Sequence, residues 1–130
     1  MKRIVFISLA ILLLCPVMAN AGELEKMKIA VAASSKTAKA SVRNMAAKCP
    51  YYLIFNNKGE LIEVIDNPYR DASGGAGPSA ANFLAQKGVT IVIAGDFGFK
   101  MINTLKNKSI NHFEFKGRVD DAVKRVLNKP

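Results

Sequence analysis

Residues 78–95, PSAANFLAQKGVTIVIAG, contain the two elements that decide the fold. In the first half, alanine and leucine recur at helical spacing, which predicts a helix over residues 78–87 with Gly88 just beyond its end. The second half, residues 89–94, is a continuous apolar run of the kind found in a central parallel strand buried on both faces. A helix followed directly by such a strand is typical of α/β proteins.

Three strands are predicted before this stretch. Residues 27–33 form a short apolar run that suits a buried strand. Residues 51–55 and 61–65 are rich in β-formers and are separated by turn residues, so they predict a β-hairpin. Between the first strand and the hairpin, residues 34–48 carry basic side chains without a continuous apolar face. They predict a mobile basic loop with one helical turn.

The chain after residue 95 continues the alternation of helices and strands. The patterns predict a helix over residues 99–106, a strand over 111–116 and a helix over 118–128. A hairpin beside the first strand, followed by right-handed crossovers, gives a mixed five-stranded sheet with three helices. The length fits one domain, so the predicted fold class is α/β in a single domain.

The N-terminus has the three parts of a secretory signal. Lys2 and Arg3 precede an apolar run over residues 4–14, and the small-residue triplet at residues 19–21 fits a cleavage site. The run is shorter than the roughly 20 apolar residues that a membrane span needs. We therefore expect a signal peptide over residues 1–21, with the membrane involved only during export.

Cleavage at this point would leave residues 22–130 as one domain, periplasmic or secreted. Two alternatives stay open at this stage. Translation from Met27 would remove the signal altogether, and acylation of Cys15 would make a lipoprotein, although the bulky Leu14 before it disfavours that reading.

The charge balance favours an anionic partner. Without Lys2 and Arg3, the 19 basic residues become 17 against 10 acidic ones, a net charge of +7. Export argues against a nucleic acid. Cys49 is the only cysteine after residue 21, so no intramolecular disulfide is expected and the core alone must hold the fold.

Five short segments together resemble the dinitrogenase iron-molybdenum cofactor biosynthesis family, including its small orange-protein-like domains. The resemblance implies a ribonuclease-H-like sheet and a role as a cofactor carrier or accessory domain. It also implies that the cofactor is a molybdenum- or iron-containing sulfide cluster. The segments are MKIAVA at 27–32, CPYYLIF at 49–55, GGAGPSAA at 74–81, KGV at 87–89 and IAG at 93–95.

An anionic ligand is expected at the carboxyl ends of the first strand and of the strand over residues 89–94, where the strand order reverses. A glycine-rich loop before the helix could offer backbone N–H groups, and a basic loop could attract the anion. The alternatives are glycines that only shape the helix entry and lysines that are only solvated. The candidate residues are Ser34, Ser35, Gly95 and Asp96 at the strand ends, Gly74, Gly75, Ala76 and Gly77 in the glycine loop, and Lys36, Lys39 and Arg43 in the basic loop.

Cys49 is the candidate metal ligand, because a thiolate suits soft metals and Lys48 beside it could lower its pKa. Its alternative is a small buried residue at the start of a strand. No Ser-His-Asp set and no paired carboxylates are recognisable, so catalysis is not expected. The enzyme alternative would need Asp66 and Asp96 to converge on a metal.

The sequence thus predicts an extracytoplasmic small binding protein for an anionic metal–sulfur cluster or oxyanion, used in storage, delivery or sensing. The alternative is a protein-interaction module that keeps the fold without a cofactor and acts through a protein partner.

Overall fold

A computed structural model describes residues 26–128, and the predicted signal peptide over residues 1–21 lies outside this range. Within the described range, no helix has both the length and the apolar character needed to cross a membrane. The strands are β1 (Ile29–Ala33), β2 (Tyr51–Phe55), β3 (Leu61–Asp66), β4 (Ile91–Ala94) and β5 (Asn111–Glu114), and the helices are α1 (Ala76–Gln86), α2 (Phe99–Asn107) and α3 (Val119–Leu127).

The five strands form one mixed sheet in the order β3-β2-β1-β4-β5. β1 pairs antiparallel with β2 and parallel with β4, while β3 and β5 form the two edges. The antiparallel part is the predicted hairpin, and the parallel part comes from helical crossovers. The predicted fold class, a mixed five-stranded sheet with three helices in a single domain, is confirmed.

The core lies on both faces of β1 and β4, whose residues are all buried. Alternation along β1 sends Ala30 and Ala32 toward the face that also holds Ala80 and Leu84 of α1. The opposite alternation sends Val31 and its neighbours toward the face that α3 covers. Two helices therefore pack on one face and a single helix on the other.

The ends of α1 follow from glycine conformations. Gly88 has a left-handed φ of +80°, the conformation in which a glycine typically ends a helix, so its predicted place just past the helix is confirmed. At the other end, α1 begins at Ala76, two residues before the predicted start, because Gly75 with a φ of +69° already turns the chain into the helix.

The basic loop differs most from its prediction. Residues 41–46, here called the strap, contain no helical turn and instead cross the carboxyl ends of β1 and β4. The strap's Arg43 N–H donates to the Ala32 carbonyl at 2.8 Å, and the Gly95 N–H donates to the Arg43 carbonyl at 2.9 Å. One step further, the Asp96 N–H donates to the Asn44 carbonyl at 2.7 Å. Backbone hydrogen bonds thus tie the predicted mobile loop to both central strands.

The strap can approach this closely because residue 95 has no side chain. A Cβ at Gly95 would lie 2.7 Å from the Asn44 Oδ1 atom and 2.9 Å from the Asn44 Cα atom. Real Cβ atoms do not tolerate such distances to backbone, so any side chain here would push the strap away.

We expect Gly95→Ala to lower the free energy of unfolding by about 1–3 kcal/mol, because the added methyl group overpacks against the Asn44 backbone. Gly98→Ala is the matched control, since its Cβ would have no heavy atom within 4 Å and its φ of −69° suits any residue. The control should change stability by less than about 0.5 kcal/mol. Urea denaturation measures both, and equal effects would contradict the close contact between the strap and β4.

Candidate functional site

A cleft of about 420 Å³ lies beyond the strap, between the strap's end and the first turns of α1 and α2. The strap fills the crevice between the ends of β1 and β4, so the accessible space is shifted outward. The residues that line the cleft are Met45, Ala46, Ala47, Lys48, Gly75, Ala76, Gly77, Pro78, Asp96, Gly98, Phe99, Lys100 and Met101.

The first turns of α1 and α2 are in direct contact at this cleft. A Cβ at Gly77 would lie 3.2 Å from the Met101 Cβ atom and 3.3 Å from the Met101 backbone nitrogen. Gly77 therefore allows the two helices to pack closely at their N-terminal ends. As a result, the partial positive charges of two helix N-termini lie side by side.

Neither helix start is neutralised by its own sequence. Gly75 and Gly98 occupy the N-cap positions, and neither α1 nor α2 has a side-chain cap or an acidic residue in its first turn. The first N–H groups of a helix have no carbonyl partner within it. By contrast, α3 has Asp120 and Asp121 in its first turn. The two helix starts at the cleft are thus suited to an anion supplied from outside the chain.

Charged side chains add to this field. Lys48 from the loop after the strap and Lys100 from α2 both line the cleft, whereas Asp96 is the only carboxylate in the lining. The local balance is positive before the helix termini are counted. The cleft therefore favours an anion larger than a single atom, with room for several contacts.

The rim of the cleft is also apolar. Met45 is 57% exposed and Phe99 is 70% exposed, although both are large apolar side chains. Side chains of this kind at the mouth of a polar site are typical of surfaces that contact another molecule.

The structure brings together only part of the predicted site. Gly75, Ala76, Gly77 and Asp96 line the cleft. Gly95 does not, because its N–H is bonded to the strap. The other predicted residues also lie outside the lining of the cleft, namely Ser34, Ser35, Lys36, Lys39, Arg43 and Gly74.

Two of these residues have visible roles elsewhere. The Ser34 N–H donates to the Ser41 carbonyl at 3.1 Å, which closes the loop before the strap. The Lys36 Nζ atom lies 5.5 Å from the centre of the Tyr51 ring, a cation–π distance on the α3 side of the sheet. The sequence analysis missed Lys100 and Phe99. The only sequence feature that could have pointed to them is their place in the first turn of the helix that follows β4.

Cys49 lies in the core and not in the cleft. Its side chain is fully buried, and the thiol donates to the Ala46 carbonyl with a sulfur–oxygen distance of 3.7 Å. Burial raises the pKa of the Cys49 thiol to about 11, although hydrogen bonds from Tyr52 and others partly oppose this. The thiol is therefore protonated at neutral pH, and this geometry does not support a thiolate ligand for a metal in the cleft.

Neighbours of Cys49 fix the wall of the cleft. The Tyr52 hydroxyl donates to the Ala46 carbonyl at 2.6 Å, and the Asn67 side-chain amide donates to the Ala47 carbonyl at 2.8 Å. Both side chains are buried, and the bond from Tyr52 is itself buried, while the bond from Asn67 is partly buried. The cluster around Cys49 thus holds the loop that carries Met45 and Lys48 against the sheet.

The donor set of the chain does not fit a bare metal ion. Among residues 26–128, no group of three or more His, Cys, Asp or Glu side chains is arranged to hold a metal. Apart from the single carboxylate of Asp96, the cleft offers backbone N–H groups and ammonium groups, which bind anions. A metal centre that supplies its own sulfide or oxide ligands would fit these donors.

A larger cavity of about 650 Å³ lies between β5 and α3, on the other face of the sheet. Its lining includes Phe113, Phe115 and Val126, and its two carboxylates, Glu114 and Asp121, balance its two cations, Lys124 and Arg125. It therefore lacks the excess positive charge of the smaller cleft. We therefore take the smaller cleft as the candidate site.

The chain as a whole is similar to known proteins. Residues 27–129 match the family described as dinitrogenase iron-molybdenum cofactor. The apo form of the orange protein from Desulfovibrio gigas is similar in structure, with a TM-score of 0.74 and 27% identity over 78% of this chain and 87% of that chain. A candidate NifB protein from Thermotoga has a TM-score of 0.66 and 28% identity, over 76% of this chain and 85% of that one.

A candidate dinitrogenase from Methanocaldococcus jannaschii shares the fold at 16% identity, with a TM-score of 0.55 over 77% of this chain and 86% of that chain. No curated protein sequence matches the chain.

The burial of Cys49 predicts that the folded protein resists thiol reagents. At pH 8, we expect iodoacetamide to label Cys49 at less than about a tenth of the rate seen in urea, since the buried thiol is not ionised. Mass mapping of the Cys49 peptide measures this directly and separates it from Cys15. Rapid labelling of the folded protein would instead indicate an accessible thiolate.

Proposed function

Because this chain belongs to the dinitrogenase iron-molybdenum cofactor family, we propose that it is a small extracytoplasmic binding protein for an anionic metal–sulfur cluster or oxyanion. The cargo is stored, delivered or sensed, and it is not chemically changed by the protein. The single observation that carries this proposal is the convergence of two uncapped helix N-termini on one positively charged cleft.

The cleft supplies the interactions that such a cargo needs. The first-turn N–H groups of α1 and α2 would donate to sulfide or oxide atoms, while Lys48 and Lys100 would balance the remaining charge. Gly75 and Gly98 have no neighbouring heavy atoms within 4 Å of a Cβ position, so a ligand can approach the backbone there. The volume of about 420 Å³ has room for a polyatomic anion.

The burial of Cys49 limits how a metal would be held. A cluster bound in the cleft would bring its own sulfides, and the chain would contact those sulfides and not the metal. This mode agrees with the absence of a metal-ligating group among residues 26–128. The similarity to an orange protein described in its apo form supports a ligand-binding role for the fold.

The proposed location rests on the sequence of the first 21 residues, which has the charged, apolar and cleavage regions of a secretory signal. A binding role is supported by the charge of the cleft's lining. It contains two lysines, Lys48 and Lys100, against one carboxylate, Asp96, which suits the holding of an anion.

A sharp test uses the N-cap of α2. Gly98→Asp places a carboxylate at the helix start, where it would cap the helix and repel an anion, whereas Gly98→Asn caps the helix without charge. We expect Gly98→Asp to weaken the binding of tetrathiomolybdate at least about tenfold more than Gly98→Asn does. Both variants should be at least as stable as the parent. The visible absorption of the bound anion, titrated with and without copper, measures the affinity.

Equal binding by the two variants would place the anion elsewhere. If the parent itself takes up neither tetrathiomolybdate nor its copper complex, the carrier proposal fails.

A second test separates the lysines of the cleft from those of the basic loop. Lys48→Ala with Lys100→Ala should weaken tetrathiomolybdate binding about tenfold at low salt, and less at high salt, because exposed charges are screened over about 8 Å at physiological ionic strength. Lys36→Ala with Lys39→Ala removes the same charge outside the cleft and serves as the matched control. An equal loss in both double variants would show that only net charge matters.

The second candidate function is a protein-interaction module, and the exposed Phe99 and Met45 favour it. In that case the cleft and its rim would receive side chains of a partner protein and no cluster. A parent that binds no anion would leave this function as the better explanation of the same surface.

A further inference from the structure

The strand β3 presents an apolar edge that the cleft does not explain. Within residues 26–128, five large apolar side chains are exposed, and three of them, Leu61, Ile62 and Val64, are consecutive or nearly so on β3 at 39–49% exposure. The other two border the cleft. β3 is an edge strand, so its outer side has no neighbouring strand in the chain.

Two of these side chains, Leu61 and Val64, share one face of the sheet. Val64 is paired with Leu53, and Leu61 is paired with Phe55 across a bulge, and both partners belong to the core on the α3 side. α3 packs over β1, two strands away. Its Val123 and Leu127 line a cavity together with Leu61, whereas Val64 is not part of that lining. The exposed apolar surface is therefore continuous with the buried core of β2.

The backbone of β3 is also available for pairing. The Asn67 N–H donates to the Pro50 carbonyl, which places the hydrogen-bonded positions of the β2–β3 ladder at residues 67, 65 and 63. The intervening residues Val64 and Asp66 therefore direct their N–H and C=O groups to the free edge. Such groups are a template for another strand.

Acidic side chains on an edge strand normally discourage association, but here each has a cation from its own chain. Glu63 lies 3.6 Å from Lys87, and Asp66 lies 3.2 Å from Arg70. The edge is thus close to electrically neutral although the chain as a whole is basic. A second copy of this chain would meet neither strong repulsion nor an unpaired carboxylate at this edge.

We propose that two copies of this chain pair through their β3 edges, antiparallel and about a two-fold axis at Val64. In this register Val64 opposes Val64 of the second copy, and Ile62 opposes Asp66, so no two acidic residues face each other. The outward N–H and C=O groups of both Val64 residues exchange hydrogen bonds, and the two apolar surfaces of the α3 face join. The result is one continuous ten-stranded sheet.

The pairing goes beyond the proposed cargo-binding function and does not depend on it. β3 contributes no residue to the cleft, so a dimer keeps two open clefts. The cleft rim is a poor site for self-association, because its lysines would face each other in a symmetric contact.

Sedimentation equilibrium of the cargo-free protein tests the pairing. We expect the apparent mass to rise with protein concentration and to approach twice the mass of the chain before the concentration reaches about 1 mM. Val64→Lys should raise the dissociation constant at least about tenfold, since it puts two like charges opposite each other in the joined apolar surface. Phe99→Lys is the matched control and should leave the dissociation constant unchanged, because Phe99 lies at the cleft.

A cross-link tests the register. In a Cys15→Ser background, where the only other thiol is the buried Cys49, Val64→Cys should oxidise to a disulfide-linked dimer. The Cα atoms of a hydrogen-bonded antiparallel pair are about 5.5 Å apart, within the range a disulfide spans. Phe99→Cys should not cross-link under the same conditions. A parent that stays monomeric at about 1 mM, or dissociation caused by Phe99→Lys and not by Val64→Lys, would overturn the pairing without affecting cargo binding.

Discussion

The strap's hydrogen bonds to Ala32 and Gly95 are the constraint on which the candidate site depends. In an open α/β sheet the crevice at the carboxyl ends of the central strands is normally where ligands bind. Here the chain's own backbone occupies that crevice, because Gly95 has no side chain to keep Asn44 away. The accessible site must then form one layer further out, where the end of the strap meets α1 and α2.

Small residues determine what that outer layer can offer. Gly77 lets α1 approach Met101, and this contact places two helix starts next to each other. Glycine at both N-cap positions leaves the first-turn N–H groups without a side-chain acceptor. A single helix N-terminus is common and attracts an anion only weakly. Two N-termini that share one cleft with Lys48 and Lys100 produce a positive electrostatic field that no single element supplies.

Local patterns were sufficient to predict the sheet and the helices, because apolar runs, turn residues and helical spacing are properties of short segments. The strap could not be predicted, since its sequence has no period and its conformation comes from hydrogen bonds to residues 32 and 95, far away along the chain. The glycine loop and Asp96 were found from the helix start and the strand end. Lys100 was missed because only the packing of α2 on α1 brings its turn to the cleft.

The thiol illustrates a different limit. The sequence left two interpretations of Cys49, a metal ligand or a buried residue. In the structure Tyr52 and Asn67 lie beside it in the core. Burial raises the pKa of its thiol, and hydrogen bonds with both side chains partly offset that rise. An anion in the proposed site would therefore have no covalent bond to the chain. N–H groups and lysines hold a cargo by charge and fit, so release requires only that a partner offer a stronger set of donors. Met45 and Phe99 stand at the rim, where such a partner would make its first apolar contacts.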